Sequence, residues 1–121
     1  DAALGDLQSA KPMTMRQHRV HIHTAQALVG LGDWQKAAQE FMRAKSIDSE
    51  QTEAAIQQVA EPFWASNGQA KAGILFFKEL EQQWPGRWWV HANMARLAEK
   101  TGDVALAQTQ ADLATQLRAS P

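Results

Sequence analysis

The amino-acid sequence predicts an all-α chain in which one helix pattern is repeated, and three observations carry this. The stretch from Gly32 to Ile47 places Trp34, Ala37, Phe41, Ala44 and Ile47 at steps of 3, 4, 3 and 3, which puts small or apolar side chains on one helix face. The same steps return at Val104, Ala107, Ala111, Ala114 and Leu117, and in shorter form at Ala70, Gly73, Phe77 and Leu80. Turn glycines stand at 32, 68 and 102, which are 36 and 34 residues apart, and each interval holds two helices. Pro is scarce and β-branched residues form no extended run with period two, so no strand is expected. A helix pair repeated at this period leaves one apolar face open, which only the next pair covers.

Length and composition narrow the function classes. The 121 residues read as one domain, 1–121, large enough to bury roughly two-thirds of its unfolded surface. Charge is nearly balanced, with 12 basic and 13 acidic residues, so nothing draws the chain as a whole toward nucleic acid or anionic membrane. A hydrophobic content of 45% argues against disorder. No apolar run approaches the ~20 residues of a membrane span. The absence of cysteine excludes disulfides, thiol catalysis and cysteine metal sites, and is compatible with the cytoplasm and with a periplasmic or secreted location alike. The N-terminal stretch shows no signal-peptide pattern. Because the chain opens inside a repeat unit, that is silent about a longer parent protein, of which this is expected to be a fragment.

In chain order, residues 2–11 read as a short helix with Ala3, Leu7 and Ala10 on one face, stopped by Pro12. It matches the second helix of the later pairs and has no first helix before it, so 2–13 is read as an orphan second helix. Met15 to Gly30 is the next helix, with Val20, Thr24, Ala27, Leu28 and Leu31 expected toward the core. Gly30 and Gly32 end it. Asp33 then caps the helix that runs to about Ile47. Asp48 and Ser49 form a turn and cap. Glu50 to Ser66 is helical, with Pro62 expected to kink or shorten it near Glu61. Asn67-Gly68 turns into the helix carrying Phe77, and Trp84-Pro85-Gly86 ends that one. Trp88 to Lys100 and Val104 to Arg118 are the last two helices, joined by Thr101-Gly102-Asp103. The repeats are thus 15–49, 50–87 and 88–118, and the helices seven.

With these residues in place the chain resembles the tetratricopeptide repeat family over nearly its whole length. Gly32-Asp33-Trp34 is similar to the family's Gly-Asp-aromatic turn, with Ala37, Phe41 and Ala44 at its small, aromatic and small sites, and Ala25 and Leu28 at those of the first helix. Ala95, Gly102, Ala107, Ala114 and Leu117 match in the last repeat, where Ala111 replaces the family aromatic. Gly68, Phe77 and Pro85 match in the middle one, whose first helix departs with Glu61 at the small site and Pro62 beside it. The resemblance implies a right-handed superhelix of antiparallel pairs, an α-solenoid scaffold whose first helices line a concave groove that binds protein or peptide. It implies as groove residues Arg19, Ile22, His23 and Gln26, then Ala55, Gln58 and Val59, then Trp89, Asn93, Arg96 and Lys100. The family's carboxylate clamp uses lysines and asparagines. Ile22, Gln26, Gln58 and Arg96 stand in comparable places here, which speaks against a chaperone C-terminal ligand.

Other chemistry is weakly signalled. His18, His21 and His23 crowd one turn, but no carboxylate sits at a useful spacing, so no metal and no cofactor is expected. His91 and Glu99 are two turns apart, and there is neither a phosphate loop nor a nucleophile elbow, so no catalytic residue is assigned. Trp84, Trp88 and Trp89 fall within six residues of one another. Trp84 and Trp88 are expected to plug the junction between the second and third repeats, and Trp89 to face the groove. Trp34 and Trp64 read as core or rim. Arg16, Arg19, Arg87, Arg96 and Lys100 would form a basic strip, but helical-repeat RNA readers are long and strongly basic, so nucleic acid is the weaker alternative. The expected ligand is an acidic, apolar peptide held by Arg19, Arg96 and Trp89, with Glu99 a partial offset. The rival reading is a structural spacer or dimerisation array. The last helix carries a wide apolar face, with Leu106 and Leu113 beside the main stripe, which calls for further chain or for self-association through an end.

Overall fold

In a computed structural model the described residues are 2–59, 61–66 and 68–119, with side-chain surroundings from 13 onward except for 61 and 62. They form seven helices: α1 (Ala2–Gly30), α2 (Trp34–Lys45), α3 (Ser49–Gln58), α4 (Glu61–Ser66), α5 (Ala70–Gln83), α6 (Trp88–Thr101) and α7 (Val104–Ala119). The all-α class is as expected, but the helices divide differently at two places. The chain runs through Pro12 in one helix of 29 residues, so the separate 2–13 helix does not form. Proline removes one N–H and crowds one turn. Lys11 and Met13 flank it with no glycine or other turn former, and the good helix formers on both sides keep their own bonds. Pro62 does divide its segment. α3 ends at Gln58, and α4 starts at Glu61 with Pro62 in its first turn, where a missing donor costs nothing.

The helix boundaries after Gly30 follow local chemistry. Gly32, Gly68 and Gly102 all take positive φ, of 77°, 68° and 81°. Gly102 shows why: it closes α6 in the left-handed conformation, with its amide donating to the Ala98 and Glu99 carbonyls. Asn67, the other half of the turn expected at Gly68, lies outside the described residues. The Asp33 carboxylate accepts from the Lys36 amide at 3.2 Å, Asp48 from Gln51 at 3.0 Å and Asp103 from Leu106 at 3.0 Å, satisfying donors that each helix start leaves open.

Packing runs mostly between neighbours in sequence. α1 packs on α2, α2 on α3 and α5, α4 on α5 and α6, α5 on α6, and α6 on α7. The centre is aromatic. Phe41 of α2 meets Phe76 of α5 edge-on at 5.8 Å, and Phe76 also touches Phe77 at 5.1 Å and Trp64 of α4 at 5.2 Å between centroids. All four are fully buried. Ala37, Ala38 and Ala44 are buried beside them, as small residues must be where helices approach closely.

The core face of α1 is not the expected one. Val20 and Leu31 are 61% and 79% exposed, Thr24 and Ala27 are exposed, and Leu28 is half-buried. The buried stripe is His18, Ile22, Ala25 and Val29, at steps of 4, 3 and 4. The apolar residues of this segment fall on more than one face, so periodicity alone allows either. The small Ala25 facing α2 and a hydrogen-bond partner for His18 decide between them.

Candidate functional site

The residues expected in the groove gather in part. α1 contributes Arg19, Ile22, His23 and Gln26, and α3 contributes Ala55 and Gln58, to the walls of one cavity of about 350 Å³. Ile22 and Ala55 belong to the buried core and form its floor. Arg19, His23 and Gln58 are exposed on its rim. Gln26 reaches across to Gln58, its Nε2 lying 3.5 Å from Gln58 Oε1, at the limit of a hydrogen bond. Gln51 and Ala54 extend the α3 wall. The described lining contains no Asp or Glu, and among the described residues Arg19 has no carboxylate within ion-pair distance.

One contributor was not assigned to the groove. His18 is 4% exposed and lines the same cavity. Its Nε2 lies 3.0 Å from the Thr52 hydroxyl oxygen, and that hydroxyl already donates to the Asp48 carbonyl at 2.7 Å. The Thr52 oxygen therefore accepts, Nε2 carries the proton, and Nδ1 is the acceptor when the ring is neutral. The signal available in the sequence was the 34-residue separation of His18 and Thr52, one repeat apart.

The histidine cluster disperses rather than converging. His18 turns to α3, and His21 Nδ1 meets Glu40 Oε2 of α2 at 2.7 Å. Arg43 also donates to Glu40. Burial would raise the Glu40 carboxyl, but the hydrogen bonds from His21 and Arg43, together with their charges, outweigh it and hold the group below its ordinary value.

The candidates from α6 do not join the groove. Trp89 is 3% exposed, and its Nε1 donates to Glu53 Oε1 at 2.6 Å while its ring meets Trp84 edge-on at 6.2 Å. The expected stackable surface is thus spent on tying α6 to α3 and to the end of α5, because an indole offers a large apolar body with one donor that seeks a partner when buried. Asn93 is 4% exposed and donates to the Trp89 carbonyl at 2.7 Å. Val59 is buried at the end of α3. Arg96 lies in a different cleft, between α6 and α7, and Lys100 beside the turn from α4 into α5. Trp84 plugs the α5–α6 junction as expected, with Lys45 and Arg87 over its ring at 4.8 and 5.0 Å. Trp88 does not: it is half-buried in the α6–α7 cleft under Arg118. The basic strip also separates, since Arg87 stands over Trp84 with its guanidinium 3.9 Å from Glu53. His91 bonds across to Gln110 of α7 at 2.6 Å. Among the described residues no group of three metal-ligating side chains converges, and no helix is long and apolar enough to cross a membrane. Protein-family models, curated proteins and solved structures give no match to this chain.

Proposed function

We propose that the chain is a protein–protein interaction module of the tetratricopeptide kind, its helix pairs coiled into a right-handed superhelix, which binds an acidic, apolar peptide segment between α1 and α3. The observation that carries this reading is the α1–α3 cavity, which gathers Arg19, Ile22, His23, Gln26, Ala55 and Gln58, expected to face one groove, around an arginine that has no carboxylate partner among the described residues. An apolar floor accepts a hydrophobic side chain. Glutamine amides both donate and accept, as an extended peptide backbone requires. Arg19 supplies a fork for a carboxylate, steering encounter and fixing orientation. The repeat spacing of the turn glycines and the neighbour-to-neighbour packing support the scaffold part of the reading.

The test is a peptide array of acidic-apolar sequences, followed by titration of the best hits. Arg19→Glu changes an exposed side chain, so it leaves the fold intact and weakens binding by about tenfold or more at low salt, with the difference shrinking as salt rises. Hits that bind the variant as tightly as the parent chain, or an array with no hit, would leave the spacer role as the better reading.

A further inference from the structure

The other end of the molecule holds a second surface, built from different residues. α3 packs on α2 and is tied to α1 by the His18–Thr52 hydrogen bond. α6 packs against both α4 and α5. Among the described residues no helix lies in the corresponding place between α6 and α7. It is a cleft of about 300 Å³ with Ala92 and Ala95 on one wall and Ala111 and Ala114 on the other. These small side chains let a third helix approach to about 8–10 Å between axes. Arg96 and Arg118 stand on opposite walls, and Arg118 lies 4.5 Å above the ring of Trp88. Among the described residues neither arginine has a carboxylate within ion-pair distance, although Glu99 lines the same cleft.

Charge decides what suits this cleft. The exposed apolar stripe that α1 of a second copy would offer, Val20 to Leu31, carries exposed Arg16 with no Asp or Glu between residues 13 and 31. Two copies would therefore bring arginine to arginine. We infer that the α6–α7 cleft binds an amphipathic α-helix of a partner protein, one whose apolar stripe is flanked by Asp or Glu. The alanine walls take side chains at i, i+3, i+4 and i+7, and Arg96 and Arg118 pair with carboxylates on either side.

The probe is a fluorescent helical peptide of about five turns, with Leu and Ala at those four spacings and Glu on the flanks, beside a twin carrying Lys in place of Glu. Fluorescence anisotropy with the whole chain at low salt is expected to show the Glu peptide binding at least about tenfold more tightly than the Lys twin. Arg96→Glu with Arg118→Glu alters two exposed positions, keeps the helical circular dichroism, and reverses the preference. Arg19→Glu, in the α1–α3 cavity, leaves it unchanged, so this inference and the proposed function fail separately. Equal affinity for the twins, no binding of either below about 1 mM, or a preference that survives the double charge reversal would overturn the inference. So would light scattering that shows self-association relieved by the same two substitutions, since the cleft would then belong to a second copy.

Discussion

Two glycine-to-alanine substitutions should shift stability in opposite directions. Gly73 lies inside α5, and a Cβ there would stand 2.8 Å from Leu97 Cδ1 and 2.9 Å from both Cβ and Cγ of Trp64. Favourable carbon contacts begin near 3.5 Å. Leu97 Cδ1 is the end of a side chain and can swing, but Trp64 Cβ moves only with the α4 backbone, and Trp64 is fully buried against Phe76. Overpacking of this kind costs about 1–3 kcal/mol, and the backbone-anchored clash puts it in the upper half of that range. Alanine returns about 1 kcal/mol of helix propensity. The net loss for Gly73→Ala is therefore about 1–2 kcal/mol, or roughly 4–8 °C in Tm for a chain of this size. Gly30, the last residue of α1, has no atom within 4 Å of its would-be Cβ and does not take positive φ. Gly30→Ala should gain about 0.4–1 kcal/mol by restricting the unfolded chain. Thermal melts of the two variants beside the parent would settle the matter. A Gly73→Ala protein that melts at or above the parent would refute the reasoning, because α4 would then be free to retreat from α5.

Phe41→Ala removes the ring that meets Phe76 and should cost about 3–5 kcal/mol in urea unfolding, with the m-value unchanged. Glu40→Gln tests the cluster with His21 and Arg43 through pH. The folded carboxyl titrates below its ordinary 4.5, so its contribution is complete above that value and is lost as pH falls through the depressed one. The variant should be about 1 kcal/mol less stable at pH 7, a figure kept small by the partial exposure of His21 and Arg43, and the gap should close toward pH 3. A gap of equal size at both pH values would contradict the assignment.

What could be read from the sequence divides along physical lines. Features set by a few adjacent residues were legible: the positive-φ glycines, the aspartate caps, and the small buried residues Ala37, Ala44, Ala107 and Ala114. Features set by competition between faces were not. On α1 two stripes satisfy the helical period, and only the identity of the neighbours chooses His18, Ile22, Ala25 and Val29 over Val20, Thr24, Ala27 and Leu31. Pro12 does not stop α1, because a lone proline with no turn former beside it removes one donor without redirecting the chain. The site followed the same division. Arg19, Ile22, His23 and Gln26 are held together by one helix and meet Ala55 and Gln58 across the cavity. Trp89 turns to the core and not to the groove because an indole is equally at home against either, and Glu53, 36 residues away, supplies the partner that draws it inward. The wide apolar face of α7 is covered only in part by α6, and Ala111 is exposed. Ala107 and Ala114 are buried on α6, Leu106, Leu113 and Leu117 are half-buried, and Val104 stays 79% exposed.

The order of packing also bears on how the chain reaches this state. The hydrogen bonds that join α1 to α3 and α3 to α6, His18 to Thr52 and Trp89 to Glu53, span only 34 and 36 positions. Loops of that length close at modest entropic cost, and none requires the two ends of the chain to find each other. Assembly can therefore begin wherever neighbouring helices first hold, with the aromatic knot of Phe41, Trp64, Phe76 and Phe77 the densest seed, and spread outward in both directions. Opening reverses that route. α7, seated on α6, can peel away while the middle stays closed, so amide exchange should slow from the C-terminal helix inward to the knot.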